Sequence, residues 1–276
     1  MQKTIISLGA AMLLTACTVN STQEDNDQTK SLVVYYSQTG TTAKVADLFA
    51  EKTGADIDSI VAVNPYDSSF EETIARCQKE METGEMPELK QMSHDIAKYD
   101  TLYIGCPVWF GTMALPVQSY LKQANLEGKV VIPFVTFGSG GLETTVAEMK
   151  KIAPKANFLD ANSLIGYGVR NARVEKAAEE VEQFLIDIKV KEGKVSEKPN
   201  YGEQQPLTDE DKKIFDEACG DYQMPLGTPI SVASNEGKTN YQFVVESKDA
   251  QGNSAKATIL VVKEEGSKAE FTKVIR

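Results

Sequence analysis

The chain of 276 residues predicts an α/β fold: a five-stranded parallel sheet in the order 2-1-3-4-5, doubly wound with helices, followed by a small C-terminal α+β domain. Three observations carry that expectation. Strand-like and helix-like stretches alternate between Ser31 and Ile188, which is the pattern of a parallel sheet covered on both faces. The first strand, Leu32-Val33-Val34-Tyr35-Tyr36, is an unbroken apolar run, as a strand buried on both faces requires. Beyond Pro206 the pattern changes to one helix and short alternating strands, which fits a helix packed on an antiparallel sheet.

Composition bounds the function classes. Apolar residues make up 41% and charged residues 25%, enough for an ordinary packed core. The net charge of −11 argues against nucleic acid as a partner. A small ligand or a basic protein partner fits better. Residues 1–16 read as a leader, with Lys3 as its positive start and Thr4 to Leu14 as an apolar core too short to span a bilayer. The leader ends in Leu14-Thr15-Ala16-Cys17, which resembles a bacterial lipobox. Cleavage before Cys17 and lipidation of its thiol would anchor the protein at the cell envelope, on the extracytoplasmic side of a bacterial membrane. A plain signal peptide with an incidental cysteine is the alternative. Loss of Lys3 takes the charge to about −12. Residues 17–30 are polar and read as a tether. Cys77, Cys106 and Cys219 form an odd set without CxxC spacing, which argues for free thiols rather than a metal cluster or disulfide scaffold. The one histidine, His94, sits in polar SHDIAKYD and reads as a surface residue, so no metal is expected.

The first domain spans residues 31–188. Its first strand runs into Ser37-Gln38-Thr39-Gly40-Thr41-Thr42, and Val45, Ala46, Leu48 and Phe49 then recur at helical spacing. Ala55 to Val63 is β-prone, bounded by Gly54 and Asn64-Pro65. Phe70 to Met81 reads as a helix with Ile74, Cys77 and Met81 on one face. Tyr99 to Cys106 is a third strand, closed by Pro107. Leu115 to Ala124 is a helix with Pro116 in its first turn, where proline is tolerated. Lys129 to Phe137 is a fourth strand, Glu143 to Ile152 a helix and Asn157 to Leu164 a fifth strand. Val174 to Ile188 is a long amphipathic helix with Val181, Phe184 and Leu185 inward. Ligands of such sheets sit beyond the carboxyl ends of the strands, at the switch point. Here that lies between strands one and three, flanked by strand four.

Three unusual loops fall at that edge. The turn Ser37 to Thr42 puts four hydroxyls and exposed backbone N–H groups at a helix start, an anion site with neutral donors only. It lacks the GK[ST] ending of a Walker loop. Simple helix capping by Ser and Thr is the alternative. After strand three comes Pro107-Val108-Trp109-Phe110-Gly111-Thr112, with the only Trp of the chain beside a Phe. These aromatics suit a planar ring stacked on one of them, or else packing under the loop. After strand four comes Thr136-Phe137-Gly138-Ser139-Gly140-Gly141, whose glycines allow close backbone approach to a ligand, or else flexibility. Together the loops describe a site for a flat aromatic ring with a phosphate tail.

These residues carry a resemblance. The turn Ser37-Gln38-Thr39-Gly40-Thr41-Thr42 resembles the [ST]-x-T-G-x-T phosphate loop of flavodoxins. The run Tyr99 to Gly105, followed by Pro107-Val108-Trp109-Phe110-Gly111-Thr112, is similar to the YD-x-I-x-x-G…P-x-W-W-G-T stretch of bacterial short-chain flavodoxin-like proteins, which holds the isoalloxazine ring. Pro133-Phe134-Val135-Thr136 and the glycine turn resemble that family's third flavin loop. The resemblance implies FMN as cofactor and those three stretches as its binding residues. Phe110 departs from the family's second Trp, and Cys106 stands where a bulkier residue is usual. The Cys106 thiol is either a modulator of the flavin or a small core residue. A neutral phosphate cradle on an acidic protein would disfavour the anionic reduced flavin and lower its potential.

Residues 189–206 form a polar linker and 207–276 the second domain. Thr208 caps a helix with Asp211 three residues later, in the manner of a capping box. Asn240 to Ser247 and Ser254 to Lys263 alternate as two strands joined at Gln251-Gly252-Asn253, and Glu270 to Ile275 is a last strand. Thr228-Pro229-Ile230 through Lys238-Thr239-Asn240-Tyr241 faintly resembles the cystatin-like fold, with Lys238 where that motif has glycine. The resemblance implies fold only and no protease inhibition. A structural or partner-docking module is the alternative.

The function expected from these readings is electron transfer at the cell envelope by an FMN-binding lipoprotein with an unidentified redox partner. Two alternatives stand beside it. One is an FMN-dependent NAD(P)H:quinone or small-molecule reductase, which would have to bind its nicotinamide transiently because no GxGxxG is present. The other is a non-redox binding lipoprotein that uses the fold as a scaffold. Electron transfer needs no general acid, base or nucleophile, and no catalytic set stands out.

Overall fold

The computed structural model describes residues 30–66, 69–161, 164–222, 226–248 and 253–275. The expected leader, the lipobox with Cys17 and most of the tether lie outside the described residues, as do residues 251–252 of the expected hairpin turn.

The first domain contains β1 (Ser31–Tyr35), α1 (Thr41–Thr53), β2 (Asp56–Ser59), α2 (Phe70–Thr83), β3 (Thr101–Trp109), β4 (Thr112–Met113), α3 (Leu115–Gln123), β5 (Val130–Phe137), α4 (Leu142–Ile152), β6 (Asn157–Phe158), β7 (Tyr167–Arg170) and α5 (Ala177–Asp187). The parallel sheet runs β2-β1-β3-β5-β6, with β4 antiparallel on β3 and β7 also beside β5. With the two-residue β4 set aside, this is the expected order 2-1-3-4-5. Successive residues of a strand face opposite sides, and the two cores divide accordingly. Leu32, Val34, Ile104 and Val135 pack with α3 and α4 on one side. Val33, Ile132 and Phe134 pack with Phe49 of α1 and with Val181 and Leu185 of α5 on the other.

Two strands depart from expectation. β3 does not close at Pro107 but continues to Trp109. Pro107 pairs with Thr136 of β5, and its carbonyl accepts from Ala114 N at 3.2 Å. The missing N–H is not needed there, so proline is no stop. The fifth strand, expected over Asn157 to Leu164, is broken into β6 and β7. Carbonyls of Lys129 and Val131 accept from Asn157 and Leu159. The next residue of β5 facing that edge is Pro133, which has no N–H for the ladder. Pairing resumes only at Phe134 with Tyr167. The last helix is also shorter than expected, because residues Asn171–Lys176 form a 3-10 segment before α5.

The C-terminal domain contains α6 (Asp209–Cys219) packed on a meander of β8 (Thr228–Ser234), β9 (Asn240–Lys248), β10 (Ser254–Val262) and β11 (Glu270–Ile275), in the order β11-β10-β9-β8. The capping box forms as expected: Asp211 N donates to Thr208 Oγ1 at 3.2 Å, and Thr208 N donates to the Asp211 carboxylate at 2.9 Å. Tyr241, Phe243 and Val245 of β9 and Ala257, Ile259 and Val261 of β10 face α6 in one core. β8 was not expected as a strand. Pro229 and a register shift before Ser231 spoil its alternation, which an edge strand tolerates. The turn into β9 holds Lys238 at φ 48, a conformation that favours the glycine its motif would place there.

Candidate functional site

Strands β1, β3 and β5 are parallel, so their carboxyl ends bring the three loops to one edge of the sheet. In the first loop the residue that caps α1 is Gly40, at φ 86, with no side-chain cap. The hydroxyls are therefore not spent on helix capping. Thr42 Oγ1 lies 2.8 Å from Thr136 Oγ1, a buried bond that ties the first loop to the end of β5. Thr39 and Thr41 hydroxyls sit 3.4 Å apart. Ser37 Oγ is shut off from solvent and has no hydrogen-bond partner among the described residues. A buried polar group left in that state costs about 1–3 kcal/mol, which a ligand oxygen would recover. Gln38 turns away, donating to Thr73 Oγ1 of α2 at 2.8 Å. Lys44 is engaged by Glu175 at 2.7 Å, so the cradle relies on N–H groups, hydroxyls and the positive end of α1.

The second loop is a hairpin. Val108 pairs with Met113 and Trp109 with Thr112, leaving Phe110 and Gly111 as the two central residues. Both have positive φ, 51 and 82, the signature of a primed two-residue turn. Pro107, Val108 and Trp109, read as loop from the sequence, are strand residues. The two aromatics part company. Phe110 stands 50% exposed at the tip, in a backbone conformation that is strained for a bulky residue. Trp109 is buttressed edge-on by Tyr36 at 5.6 Å and Tyr66 at 5.1 Å. Thr112 is directed at α4, where its hydroxyl donates to Glu148 at 2.6 Å.

Tyr36 and Tyr66 are the site residues that sequence reasoning missed. Tyr36 was hidden in the apolar strand, and Tyr66 had no motif. Its one signal is a nearby Arg-x-x-x-Glu: Tyr66 donates to Glu80 Oε2 at 2.6 Å, and Arg76 lies 3.9 Å over its ring while bonding Glu80 at 2.8 Å. Burial and the Glu80 carboxylate push the Tyr66 hydroxyl well above the ordinary tyrosine range, so it stays a donor.

In the third loop Thr136 is buried beneath the site and Phe137 belongs to the core. The glycines make room for protein neighbours as well as for a ligand. A Cβ on Gly141 would stand 2.7 Å from Val108 of the hairpin, one on Gly140 2.6 Å from the Val274 carbonyl, and one on Gly138 3.2 Å from the Tyr222 hydroxyl. Tyr222 and Val274 belong to the C-terminal domain. Ser139 O accepts from Val274 N at 2.8 Å. Arg170 donates to Gly138 O at 3.0 Å and to Phe271 O at 2.8 Å, with its guanidinium 3.2 Å above the Phe271 ring. Glu270 of β11 is paired with Arg173 and Lys176, and Lys273 with Glu143.

A hollow of about 330 Å³ lies against the first loop, between Tyr35–Gly40 and Tyr66. Another of about 450 Å³ opens between the hairpin tip and the glycine loop. The orphaned Ser37 hydroxyl, the uncapped start of α1 and these hollows fit a phosphate-tailed planar ligand. Cys106 is not poised to modulate one: it is fully buried, and burial pushes its thiol up to about 12. Cys77 and Cys219 are likewise buried and unpaired.

The flavodoxin family model matches residues 30–179. Among curated proteins, NAD(P)H dehydrogenase (quinone) 3 of Rhizobium meliloti (strain 1021) is 32% identical over 130 residues, 43% of this chain and 58% of that protein. The chain therefore spans less than two thirds of that relative's length. Among solved structures, a candidate flavoprotein from Bacteroides eggerthii is 30% identical, with 59% of this chain and 99% of that chain covered and a TM-score of 0.49. A flavoprotein in complex with FMN from Lactobacillus acidophilus is 27% identical, with 54% and 99% covered and a TM-score of 0.43.

Proposed function

This chain belongs to the flavodoxin family, and from that premise we propose that it binds FMN and passes electrons at the cell envelope, anchored by lipid on Cys17. The observation that carries the reading is the convergence of the three loops, fastened by the Thr42–Thr136 bond around the orphaned Ser37 hydroxyl. Ser37, Thr39 and Thr41 hydroxyls and the N–H groups opening α1 hold the phosphate. Trp109, fixed by Tyr36 and Tyr66, offers its indole to the ring, and the glycine loop lines the ring's edge. Bound FMN supplies one- or two-electron transfer, tuned by its surroundings. The chain binds, orients and shields it. The envelope role is supported by the lipobox-like sequence at Leu14 to Cys17.

The test is the visible absorbance of a soluble form beginning after Cys17, as purified and after addition of FMN. Flavin bands with quenched fluorescence are expected. A colourless protein that refuses FMN would remove the redox reading and turn attention to the C-terminal domain. Among the described residues the first loop holds no Lys or Arg, and Lys44, one turn on, pairs with Glu175, which gives a further expectation. Negative charge added on reduction meets no cation in the first loop, and Arg170 at the third is engaged by the Gly138 and Phe271 carbonyls, so the midpoint potential should fall below that of free FMN. A redox titration giving a value at or above free FMN counts against it.

A second reading is favoured by the Rhizobium relative, whose name is that of an NAD(P)H quinone dehydrogenase. Oxidation of NAD(P)H by the pure protein, with a quinone as acceptor, selects that reading over the electron carrier.

A further inference from the structure

The third loop is shared between the two domains. On one side it follows β5 at the edge where the three loops meet. On the other, its Gly138 and Ser139 carbonyls are taken by Arg170 and by β11. The 450 Å³ hollow beside it has walls from both domains: Val108 and Phe110 from the hairpin, and Tyr222, Val274 and Ile275 from the C-terminal domain.

We propose that the C-terminal domain is part of the ligand site: Tyr222 and β11 wall the hollow between the hairpin tip and the glycine loop, which takes the outer edge of the flavin ring that stacks on Trp109. This rests on the FMN reading above and adds a component that the flavodoxin-like domain does not contain. The cavity falls within the range of small-molecule sites. Its walls carry Val108, Phe110, Tyr222, Val274 and Ile275 beside the polar Glu143 and Thr144, and its floor is the backbone of the glycine loop, whose carbonyls at positions 138, 139 and 141 are already used. Aromatic and aliphatic faces beside glycine backbone suit the edge of a flat heterocycle. The single carboxylate in the lining that belongs to the loop side, Glu143, is paired with Lys273 at 2.9 Å.

Tyr222 is fixed for this role. Its N–H donates to Cys219 O at 3.1 Å, its ring meets Phe271 edge-on at 5.2 Å, and its hydroxyl reaches the surface of Gly138. The chain folds so that β11 and Arg170 hold it against the loop, and a Cβ at 140, 2.6 Å from the Val274 carbonyl, would push β11 away. The glycine run thus serves ligand and domain docking at once.

The experiment uses the whole chain after Cys17 and titrates FMN by flavin fluorescence, with iodide quenching of the bound flavin as a second readout. Tyr222→Ala is expected to weaken FMN about tenfold, or about 1.4 kcal/mol, within the range of a lost ring stack, and to raise iodide quenching. Tyr222→Phe should restore both. Because Tyr222 also packs on Phe271, Ile275→Glu serves as a companion: Ile275 is 39% exposed, so the fold tolerates the change, while a carboxylate in the wall should weaken FMN several-fold. Wild-type affinity and quenching in both Tyr222→Ala and Ile275→Glu overturn the inference. A wild-type chain that takes up no FMN overturns the parent reading, and this one with it.

Discussion

Gly105→Ala should lower the stability of the flavodoxin-like domain by about 3 kcal/mol, at the upper end of overpacking costs. A Cβ at this position would lie 2.0, 2.2 and 2.7 Å from three ring atoms of Phe134. Gly105 and Phe134 are direct partners on β3 and β5, and the ring lies across the gap that the glycine leaves. Phe134 has nowhere to go. It is fully buried and stacks on Phe49 at 4.8 Å, and Phe49 is wedged in turn against Tyr103 and Phe184. A loss of this size in a domain of this length corresponds to a fall of roughly 6–12 °C in Tm. Thermal unfolding followed by circular dichroism measures it, and a Tm within about 2 °C of wild type would show that the ring moves aside cheaply. Adding Phe134→Leu to Gly105→Ala should recover part of the loss, since contacting residues are not additive.

Trp109→Ala should weaken FMN by roughly one to two orders of magnitude, the scale of a lost ring stack of about 1–3 kcal/mol. The indole is preorganised: Tyr36 and Tyr66 hold it edge-on, and the strand pairing of Trp109 with Thr112 fixes its backbone. A ligand that stacks on it pays no rotamer entropy of the protein's. Trp109→Phe should restore most of the affinity, which a purely structural defect would not allow. Since Trp109 is the only tryptophan of the chain, wild-type tryptophan emission should also be quenched as FMN binds. An alanine variant that keeps wild-type affinity would shift the stacking role to Phe110.

Much of this was legible in the sequence, for identifiable reasons. The switch-point edge followed from alternation and strand order alone, because Leu32 to Tyr36 is apolar on both faces and a hydroxyl-rich turn follows it directly. The capping box at Thr208 and Asp211 is a local contact and was readable locally. What was missed depends on partners distant in the chain. Pro107 looked like a strand end because only the β3–β5 ladder shows that its N–H is not required. Pro133 looked harmless, yet it faces the edge where β6 and β7 part. Trp109 and Phe110 looked like a pair, and only the positive φ of Phe110 sends one outward while Tyr36 and Tyr66 keep the other in. The glycines of the third loop were readable as room for a ligand, but not as room for protein neighbours, since Tyr222 and Val274 lie in another domain.

The clamp between Arg170 and Phe271 joins residues 101 apart in the chain. Chains emerge from the ribosome at roughly 5–20 residues per second and tend to fold from the amino end. The third loop ends at Gly141 and β11 begins at Glu270, so the three loops would exist for roughly 6–26 s before β11 arrives to stand beside them. During that interval the ring cavity has no outer wall and a cofactor can enter unhindered. Once β11 docks, the same cofactor leaves only when the wall swings away. Order of emergence, from the ribosome or across the membrane, would thus separate loading from retention, making uptake fast while the chain is incomplete and loss slow once it is finished.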